Sequence, residues 1–244
     1  MKTRCSPIHA FAGSELMVVL AIVAILAGLM LPALGVARRS AQRTKCANNL
    51  HQLAWIIRMY ADDMGDVGPA KLTEHKSLDG WMAYKQLLNA YRGQAGGGTF
   101  FACPSDKYHY GFTAASSNAY QYIGQAIHLQ SWSDYSSYAF NGGNTRTNTE
   151  SGIPYPGIAG KKLTAIHNPS ATILVAEVPA YYCYSWHDPQ NARTAHYFNR
   201  ALNEAAFVDG SVRYLPFFYD SQRRPAEAWQ YDPPAEFEYK WSAE

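Results

Sequence analysis

An uncharged apolar segment near the N-terminus constrains this chain more than any other feature of its sequence. The segment runs for 22 residues, from Leu16 to Ala37, without a charged side chain. A helix that crosses the hydrocarbon core of a bilayer needs about 20 apolar residues. The segment is therefore long enough to span a membrane. One carboxylate, Glu15, directly precedes it, and the basic stretch MKTR begins the chain.

The arrangement of these residues resembles the N-terminus of type IV pilins and of the pseudopilins of type II secretion systems. In those families a short basic leader is removed just before a Phe, and a carboxylate occupies the fifth mature position. Phe11 and Glu15 match both positions, and Pro32, twenty-one residues after Phe11, stands where the family helix carries its proline. The resemblance implies a leader over residues 1–10, cleavage between Ala10 and Phe11 by a prepilin peptidase, and N-methylation of Phe11.

The start of the mature chain departs from the family pattern in two places. Ala10 stands before the cut in place of the usual Gly, and residues 12–14, Ala-Gly-Ser, replace the usual Thr-Leu-Ile. Gly costs about 1 kcal/mol relative to Ala in a helix, so the first turn is predicted to be weak.

Glu15 is predicted to pair with the amine of Phe11 on a neighbouring subunit. A charge at the centre of a membrane helix costs about 2.5–3.5 kcal/mol, and the first basic residue after Phe11 is Arg38. Glu15 and Pro32 are therefore the predicted assembly residues. The other interpretation of Glu15 is a solvated charge at the membrane surface.

The apolar segment continues into an amphipathic stretch. Its apolar side chains are spaced by four, three, four and three residues, which places them on one face of a helix: Cys46, Leu50, Leu53, Ile57 and Tyr60. Gly65, Gly68 and Pro69 end the pattern. We predict one helix from about residue 13 to 62, with a membrane or filament-core half over 11–37 and an amphipathic half over 38–64.

Residues 65–244 are predicted to form one globular α+β domain. A short amphipathic helix is predicted over 79–92. Strand patterns follow at 99–106, 136–143 and 171–178 and on both sides of Asp209-Gly210, a pair typical of a two-residue hairpin turn. The predicted fold class is therefore α+β, a long N-terminal helix packed on a small antiparallel sheet. The proline-rich C-terminal tail is predicted to be ordered, with little regular structure.

Three short motifs also resemble a bacterial subgroup of pseudopilin-like proteins. The first is Asn48-Asn49-Leu50 on the long helix, and the second is Cys103-Pro104-Ser105-Asp106. The third is a His before the Asp-Gly hairpin, which corresponds here to His196. Nine residues commonly separate that His from the Asp in the subgroup, whereas twelve separate His196 from Asp209.

The cysteines suggest one disulfide and one free thiol. Cys5 would leave with the leader, so Cys46, Cys103 and Cys183 remain, and an exported protein meets an oxidising compartment. We favour a Cys103–Cys183 pair because both lie in the globular half, with Cys46–Cys103 as the alternative. The spacings are unlike those of zinc ligands and no CxxC occurs, so no metal or cofactor is predicted.

No catalytic site is predicted, because the chain has neither a G-x-S-x-G elbow nor an HExxH motif. His187, Asp188, His196 and Asp209 could form a metal or acid/base cluster, but surface histidines and a turn aspartate are the favoured interpretation. Removal of Lys2 and Arg4 with the leader leaves 19 basic and 19 acidic residues. Such a balance does not favour binding to nucleic acid.

These patterns lead to one expected function and two rivals. We expect a non-enzymatic subunit of a type IV pilus-like filament or a type II secretion pseudopilus, anchored in the bacterial inner membrane with its globular domain extracytoplasmic. Its partners would be the prepilin peptidase, other pilin-like subunits, the inner-membrane assembly machinery and the lipid bilayer. One rival is a secreted protein with a signal peptide ending near Gly35-Val36-Ala37. The other is a membrane-anchored glycan-binding protein that uses the Tyr, Trp and Asn residues of 120–148 and 181–199.

Overall fold

The computed structural model of the chain describes residues 13–70, 80–91, 99–112, 120–187, 198–220 and 227–244. The chain divides into two compact units, Met1–Ala41 and Gln42–Glu244. One helix, α1, extends over Gly13–Asp63, so the predicted long helix is confirmed. Pro32 lies inside α1 and removes one backbone N–H from it.

The end of α1 follows from the glycine that was predicted to stop it. Gly65 has a φ of 70° and Asp66 a φ of 71°, a left-handed conformation that ends a helix and is most easily adopted by Gly. The amide of Asp66 donates to the carbonyl of Ala61 over 2.7 Å. A carbonyl of the last turn is thereby satisfied without another turn of helix.

The second unit is built on a four-stranded antiparallel sheet. Its strands are β3 (Tyr138–Phe140), β4 (Ile173–Glu177), β5 (Ala201–Phe207) and β6 (Val212–Phe217), hydrogen-bonded in the order β3-β4-β5-β6. A separate pair consists of β1 (His109–Phe112) and β2 (Tyr120–Ile123), also antiparallel. With α1, α2 (Gly80–Leu87) and α3 (Val178–Tyr182), this is the predicted α+β fold.

Two of the predicted elements differ in extent or kind. The helix predicted over 79–92 is α2 followed by a 3₁₀ turn at Asn89–Tyr91. The strand predicted over 99–106 is wrong, because a 3₁₀ turn occupies Thr99–Phe101. Beyond it the Cys103 amide donates to the Ser137 hydroxyl, 2.9 Å, and the Asp106 amide closes a turn onto the Cys103 carbonyl, 3.0 Å. These bonds replace a strand ladder.

The Asp-Gly hairpin is present, but its loop has three residues instead of the predicted two. The amide of Phe207 donates to the carbonyl of Ser211, and the amide of Gly210 donates back to the carbonyl of Phe207, both over 2.9 Å. Val208, Asp209 and Gly210 therefore form the loop. Gly210 has a φ of 88° and Asp209 is not left-handed, as in a type I turn followed by a glycine bulge.

The core of the second unit lies between α1, the sheet and the C-terminal tail. The predicted apolar face of α1 is confirmed: Cys46, Leu50, Leu53 and Ile57 are fully buried, with Tyr60 packed at the edge. The tail contributes Tyr239 and Trp241, both buried, and Lys240 forms an isolated parallel bridge with Thr172. The tail is ordered over 227–244 and has little regular structure, as predicted.

Candidate functional site

The apolar half of α1 is the first candidate site. Its large apolar side chains between Leu16 and Val36 are 48–75% exposed. The segment is long and apolar enough to cross a membrane, by its length and composition. Nothing in the part of the chain that the structure describes covers this surface.

The predicted assembly residues lie at both ends of this segment. Glu15 is in the first turn of α1, where the helix dipole favours a negative charge. Pro32 lies inside the helix near the other end of the segment. The predicted processing residues, Ala10 and Phe11, lie outside the described residues.

The second candidate site is a junction at which the sequence motifs meet. Cys46 on α1 forms a disulfide with Cys103, with Cα atoms 5.2 Å apart. Three residues further along α1, the Asn49 amide donates to the Ala102 carbonyl, 3.0 Å, and to the Tyr138 hydroxyl, 3.2 Å. The helix turn that carries Asn-Asn-Leu is therefore joined to Cys103 and to the residue just before the Cys-Pro-x-Asp motif.

This disulfide corrects the pairing that the sequence favoured. Cys103 pairs with Cys46, the alternative prediction, and the Cys103–Cys183 pair is wrong. Cys183 is a buried free thiol that donates to the carbonyl of Phe218 over 3.0 Å, and burial raises its pKa well above the ordinary value. The prediction failed because Cys46 was treated as part of the apolar face of α1 alone.

Asp106 explains the last position of the Cys-Pro-x-Asp motif. Its fully buried carboxylate accepts hydrogen bonds from the amides of Ile127 and His128, both 2.8 Å, from the Ser137 hydroxyl, 2.7 Å, and from the His128 ring, 2.9 Å. Hydrogen bonds to a charged acceptor are worth about 1.5–3 kcal/mol. Asp106 thus fixes the segment that leads into β3.

Next to the disulfide lies a cluster of buried charged groups. Glu177 ends β4 with a fully buried carboxylate, and His187 approaches it to 2.8 Å with a side chain only 3% exposed. The other oxygen of Glu177 accepts from the amide of Glu204 on β5, 3.1 Å. Arg43 of α1 reaches the Glu204 carboxylate at 3.7 Å and lies over the Tyr214 ring at 4.6 Å. We call Arg43, Glu177, His187 and Glu204 the charged cluster.

Burial and mutual charge shift the pKa values in this cluster. Burial raises the pKa of Glu204 to about 7, and the nearby Glu177 charge adds to this, while His187 and Arg43 oppose it. Burial alone would lower the pKa of His187, but the adjacent Glu177 carboxylate more than offsets it, so the pKa is raised. A buried charged pair such as Glu177 and His187 costs desolvation energy unless further hydrogen bonds compensate for it. The amide of Glu204 supplies one such hydrogen bond to Glu177.

Of the four residues that could form a metal or acid/base cluster, the structure describes His187 and Asp209, which lie in different parts of the fold. His187 is not a surface histidine, as favoured from sequence, but a buried partner of Glu177. Asp209 is the turn aspartate that was expected, because it accepts from the Ser211 amide and hydroxyl at 2.9 and 2.7 Å. Asp188 and His196 lie outside the described residues.

The nine-residue spacing of the subgroup histidine falls on Asn199 instead. Its side-chain oxygen accepts from the amide of Tyr219, 3.1 Å, just after β6. Asn199 therefore ties the start of β5 to the end of β6.

Most of the charged cluster is not predicted by the sequence. Its one sequence indication is that Glu177 and Glu204 interrupt apolar strand patterns, ILVAEV and ALNEAAF. A charged residue inside such a strand is seldom fully buried without a partner. The partners lie between ten and more than a hundred residues away in the sequence, so no helix or strand spacing reveals them.

A groove of about 430 Å³ lies beside α1 and the hairpin loop. Trp55 and Arg58 line it from α1, and Val208, Asp209 and Gly210 from the hairpin. Trp55 is 70% exposed, which gives this face of α1 an apolar character.

Comparison with known proteins does not assign the chain to a class. No protein-family description, no curated protein and no solved structure matches it. The class therefore depends on the residues and geometry described above.

Proposed function

We propose that this chain is a structural subunit of a type IV pilus-like filament or a type II secretion pseudopilus. The observation that carries the proposal is the apolar half of α1, with its large side chains 48–75% exposed. Each such side chain gains about 1.5–3 kcal/mol when it leaves water. A surface of this kind needs a bilayer, neighbouring copies of the helix, or both in turn, as a filament subunit experiences.

The position of Glu15 supports a filament over a simple anchor. A carboxylate at the start of a segment with 22 uncharged residues is costly inside a membrane. The amine of Phe11, created by cleavage, would give Glu15 an intersubunit partner in the assembled filament. Such a pair would set the axial register of neighbouring helices.

The N-terminus of the mature protein tests the proposal against its rivals. The chain is expressed with an active prepilin peptidase, and the membrane-extracted product is sequenced from its N-terminus. A mature protein that begins at Phe11 supports the proposal. A start at Arg38 indicates a secreted protein, and an intact Met1 indicates a simple membrane anchor; either result refutes the proposal.

Assembly is tested with Glu15→Leu, and Glu15→Asp is the matched control that keeps the charge. We expect Glu15→Leu to be cleaved and inserted normally but to be strongly reduced in sheared-filament preparations, with Glu15→Asp less affected. Assembly of Glu15→Leu at the wild-type level would show that the carboxylate is not needed for packing.

The glycan-binding rival loses support from burial. Among its candidate aromatic residues that the structure describes, Tyr138, Tyr181, Tyr184 and Trp186 are buried in the core, whereas Tyr135 is 55% exposed. Rings in the core cannot stack on a sugar.

A further inference from the structure

Four side chains with metal-binding atoms meet beside the disulfide, and each comes from a different part of the fold. Cys46 belongs to α1, Cys103 to the loop after the 3₁₀ turn, Glu177 to the end of β4, and His187 to the segment after α3. Their ligand atoms all lie within 4.8 Å of one another. The Cys103 sulfur is 3.4 Å from the Glu177 carboxylate and 3.8 Å from the His187 Nε2.

We propose that reduction of the Cys46–Cys103 disulfide converts these four side chains into a binding site for one Zn²⁺ ion. The two cysteines then form either a disulfide or part of a metal site, and both arrangements link α1 to the sheet. The inference is independent of filament assembly.

The distances from the Cys103 sulfur fit a tetrahedral zinc site, and after reduction the two sulfurs must separate to about 3.8 Å for both to bind the ion. With Zn–S of about 2.3 Å and Zn–N or Zn–O of about 2.0–2.2 Å, a sulfur should lie about 3.5 Å from a nitrogen or oxygen ligand. The measured 3.4 and 3.8 Å bracket that value. The Glu177–His187 distance, 2.8 Å, is a hydrogen bond and opens by about half an ångström to reach the roughly 3.3 Å expected between two such ligands.

The surroundings of the four side chains hold them in place. One Glu177 oxygen accepts from the Glu204 amide at 3.1 Å, which leaves the other facing Cys103 and His187. The His187 amide donates to the Ser185 hydroxyl, 3.2 Å, and its ring meets the edge of Tyr214. Fixed partners of this kind orient ligands and strengthen metal binding.

The charge balance also favours a divalent cation over two free thiolates. Two thiolates and the Glu177 carboxylate place three negative charges in a buried site, and Zn²⁺ cancels two of them. The guanidinium of Arg43 on α1 lies 3.7 Å from the Glu204 carboxylate. Cysteine sulfur with imidazole and one carboxylate is a donor set that Zn²⁺ accepts readily.

The two states are connected by a balanced two-electron step. A dithiol reductant breaks the Cys46–Cys103 bond, becomes a disulfide itself, and leaves one proton on each cysteine sulfur. Zn²⁺ then displaces both protons to solvent. In an oxidising compartment the disulfide prevails, so the metal form belongs to the reduced chain. Because Zn²⁺ enters as the reduced chain folds, the burial of the site does not prevent binding.

The test uses the full chain in detergent, carrying Cys5→Ser and Cys183→Ser so that only the two relevant cysteines remain. The protein is unfolded in urea and reduced with a phosphine, which takes its oxygen from water. It is then refolded into detergent in the presence of Zn²⁺ or Co²⁺ alone, and unbound metal is removed by dialysis; the oxidised chain is refolded in the same way without the phosphine. We expect one Zn²⁺ per reduced chain, none per oxidised chain, and a tetrahedral Co²⁺ spectrum with thiolate charge-transfer bands. Equal binding by the oxidised chain, or none by the reduced chain, overturns the inference.

His187→Gln and Glu177→Gln in the same background test the other two ligands. Each substitution should weaken Zn²⁺ binding by roughly tenfold or more, because a loss of this size follows even when a residue that only supports a ligand is changed. Unchanged affinity and an unchanged Co²⁺ spectrum in both variants would reduce the site to two thiols and refute the proposal. If either variant does not fold, X-ray absorption of the reduced, Zn²⁺-loaded protein decides: two sulfurs with two lighter ligands support the site, and any other shell overturns it.

Discussion

Loss of the Cys46–Cys103 disulfide should destabilise the globular unit far more than loss of the third buried cysteine. The double variant Cys46→Ala/Cys103→Ala removes the cross-link, and Cys183→Ala is the matched control, because all three cysteines are fully buried. Each substitution removes one buried sulfur, but only the double variant frees the chain between residues 46 and 103. The difference therefore isolates the effect of the cross-link.

Its magnitude follows from the length of the loop that the disulfide closes. The cysteines are 57 residues apart, and the chain-entropy relation then gives about 4 kcal/mol at 25 °C. Domains of this kind have total stabilities of about 5–15 kcal/mol. Loss of the cross-link should thus remove a large part of the free energy of unfolding.

Urea unfolding followed by tryptophan fluorescence measures the effect, with a chelator present so that no metal replaces the disulfide. For a urea dependence of about 2–3 kcal/mol per molar, the double variant should unfold at a lower urea concentration than the wild type. Its fall in midpoint should exceed twice the fall caused by Cys183→Ala by roughly 1.5 M. A double-variant loss no greater than twice the control would refute the loop-closure reasoning. A loss in Cys183→Ala equal to that in Cys103→Ala would instead restore the Cys103–Cys183 pairing.

Three further predictions concern the hairpin, the Cys-Pro-x-Asp motif and processing. Gly210→Val should lower the free energy of unfolding by about 1–2 kcal/mol, because position 210 has a left-handed φ, and the control Gly210→Asn should lower it by less. No atom lies within 4 Å of the added Cβ, so a larger loss measured by denaturation would contradict a cause in the backbone alone. Asp106→Asn should lower the free energy of unfolding by roughly 2–3 kcal/mol, since an amide cannot accept all four hydrogen bonds. The exposed control Asp62→Asn should change it by less than about 0.5 kcal/mol. Equal melting temperatures for the two variants would refute the role of Asp106. Ala10→Gly should speed leader removal and Ala10→Trp should block it, and mass spectrometry showing equal cleavage of both would argue against processing at this site.

The parts of the fold that the sequence predicted are those specified by local patterns. The apolar face of α1 follows from the spacing of Cys46, Leu50, Leu53 and Ile57, and the hairpin follows from Asp209-Gly210 between two apolar runs. Each depends on residues within a few positions of one another. Even so, the loop length was missed, because Asp-Gly also fits a type I turn with Gly210 alone in the left-handed region.

The parts that the sequence did not predict depend on contacts between distant residues. The apolar residues of 99–106 fit a strand pattern, yet the Cys103 amide and the Asp106 carboxylate are hydrogen-bonded to residues 127–137, more than twenty positions away. The pairing of Glu177 with His187 and with the Glu204 amide likewise has no local spacing. Burial of these charges is set by the whole sheet, so only the folded chain reveals them.

The junction around Cys46 gives the sequence motifs a common physical purpose. A disulfide, the two Asn49 hydrogen bonds and the Arg43–Glu204 pair all join residues of α1 from Arg43 onward to the sheet or to the loop that precedes it. Apolar packing alone would let a helix slide along its groove at small cost, because it lacks direction, whereas these bonds fix one rotation and one axial position. In the proposed filament, force applied to the helix must reach the globular unit through this junction. A subunit with the junction weakened by Cys46→Ala and Asn49→Leu should therefore retain its processing and insertion, but a protease should cut its globular unit from the filament faster than it cuts the wild-type unit. Equal rates of proteolytic release from wild-type and variant filaments would contradict that role.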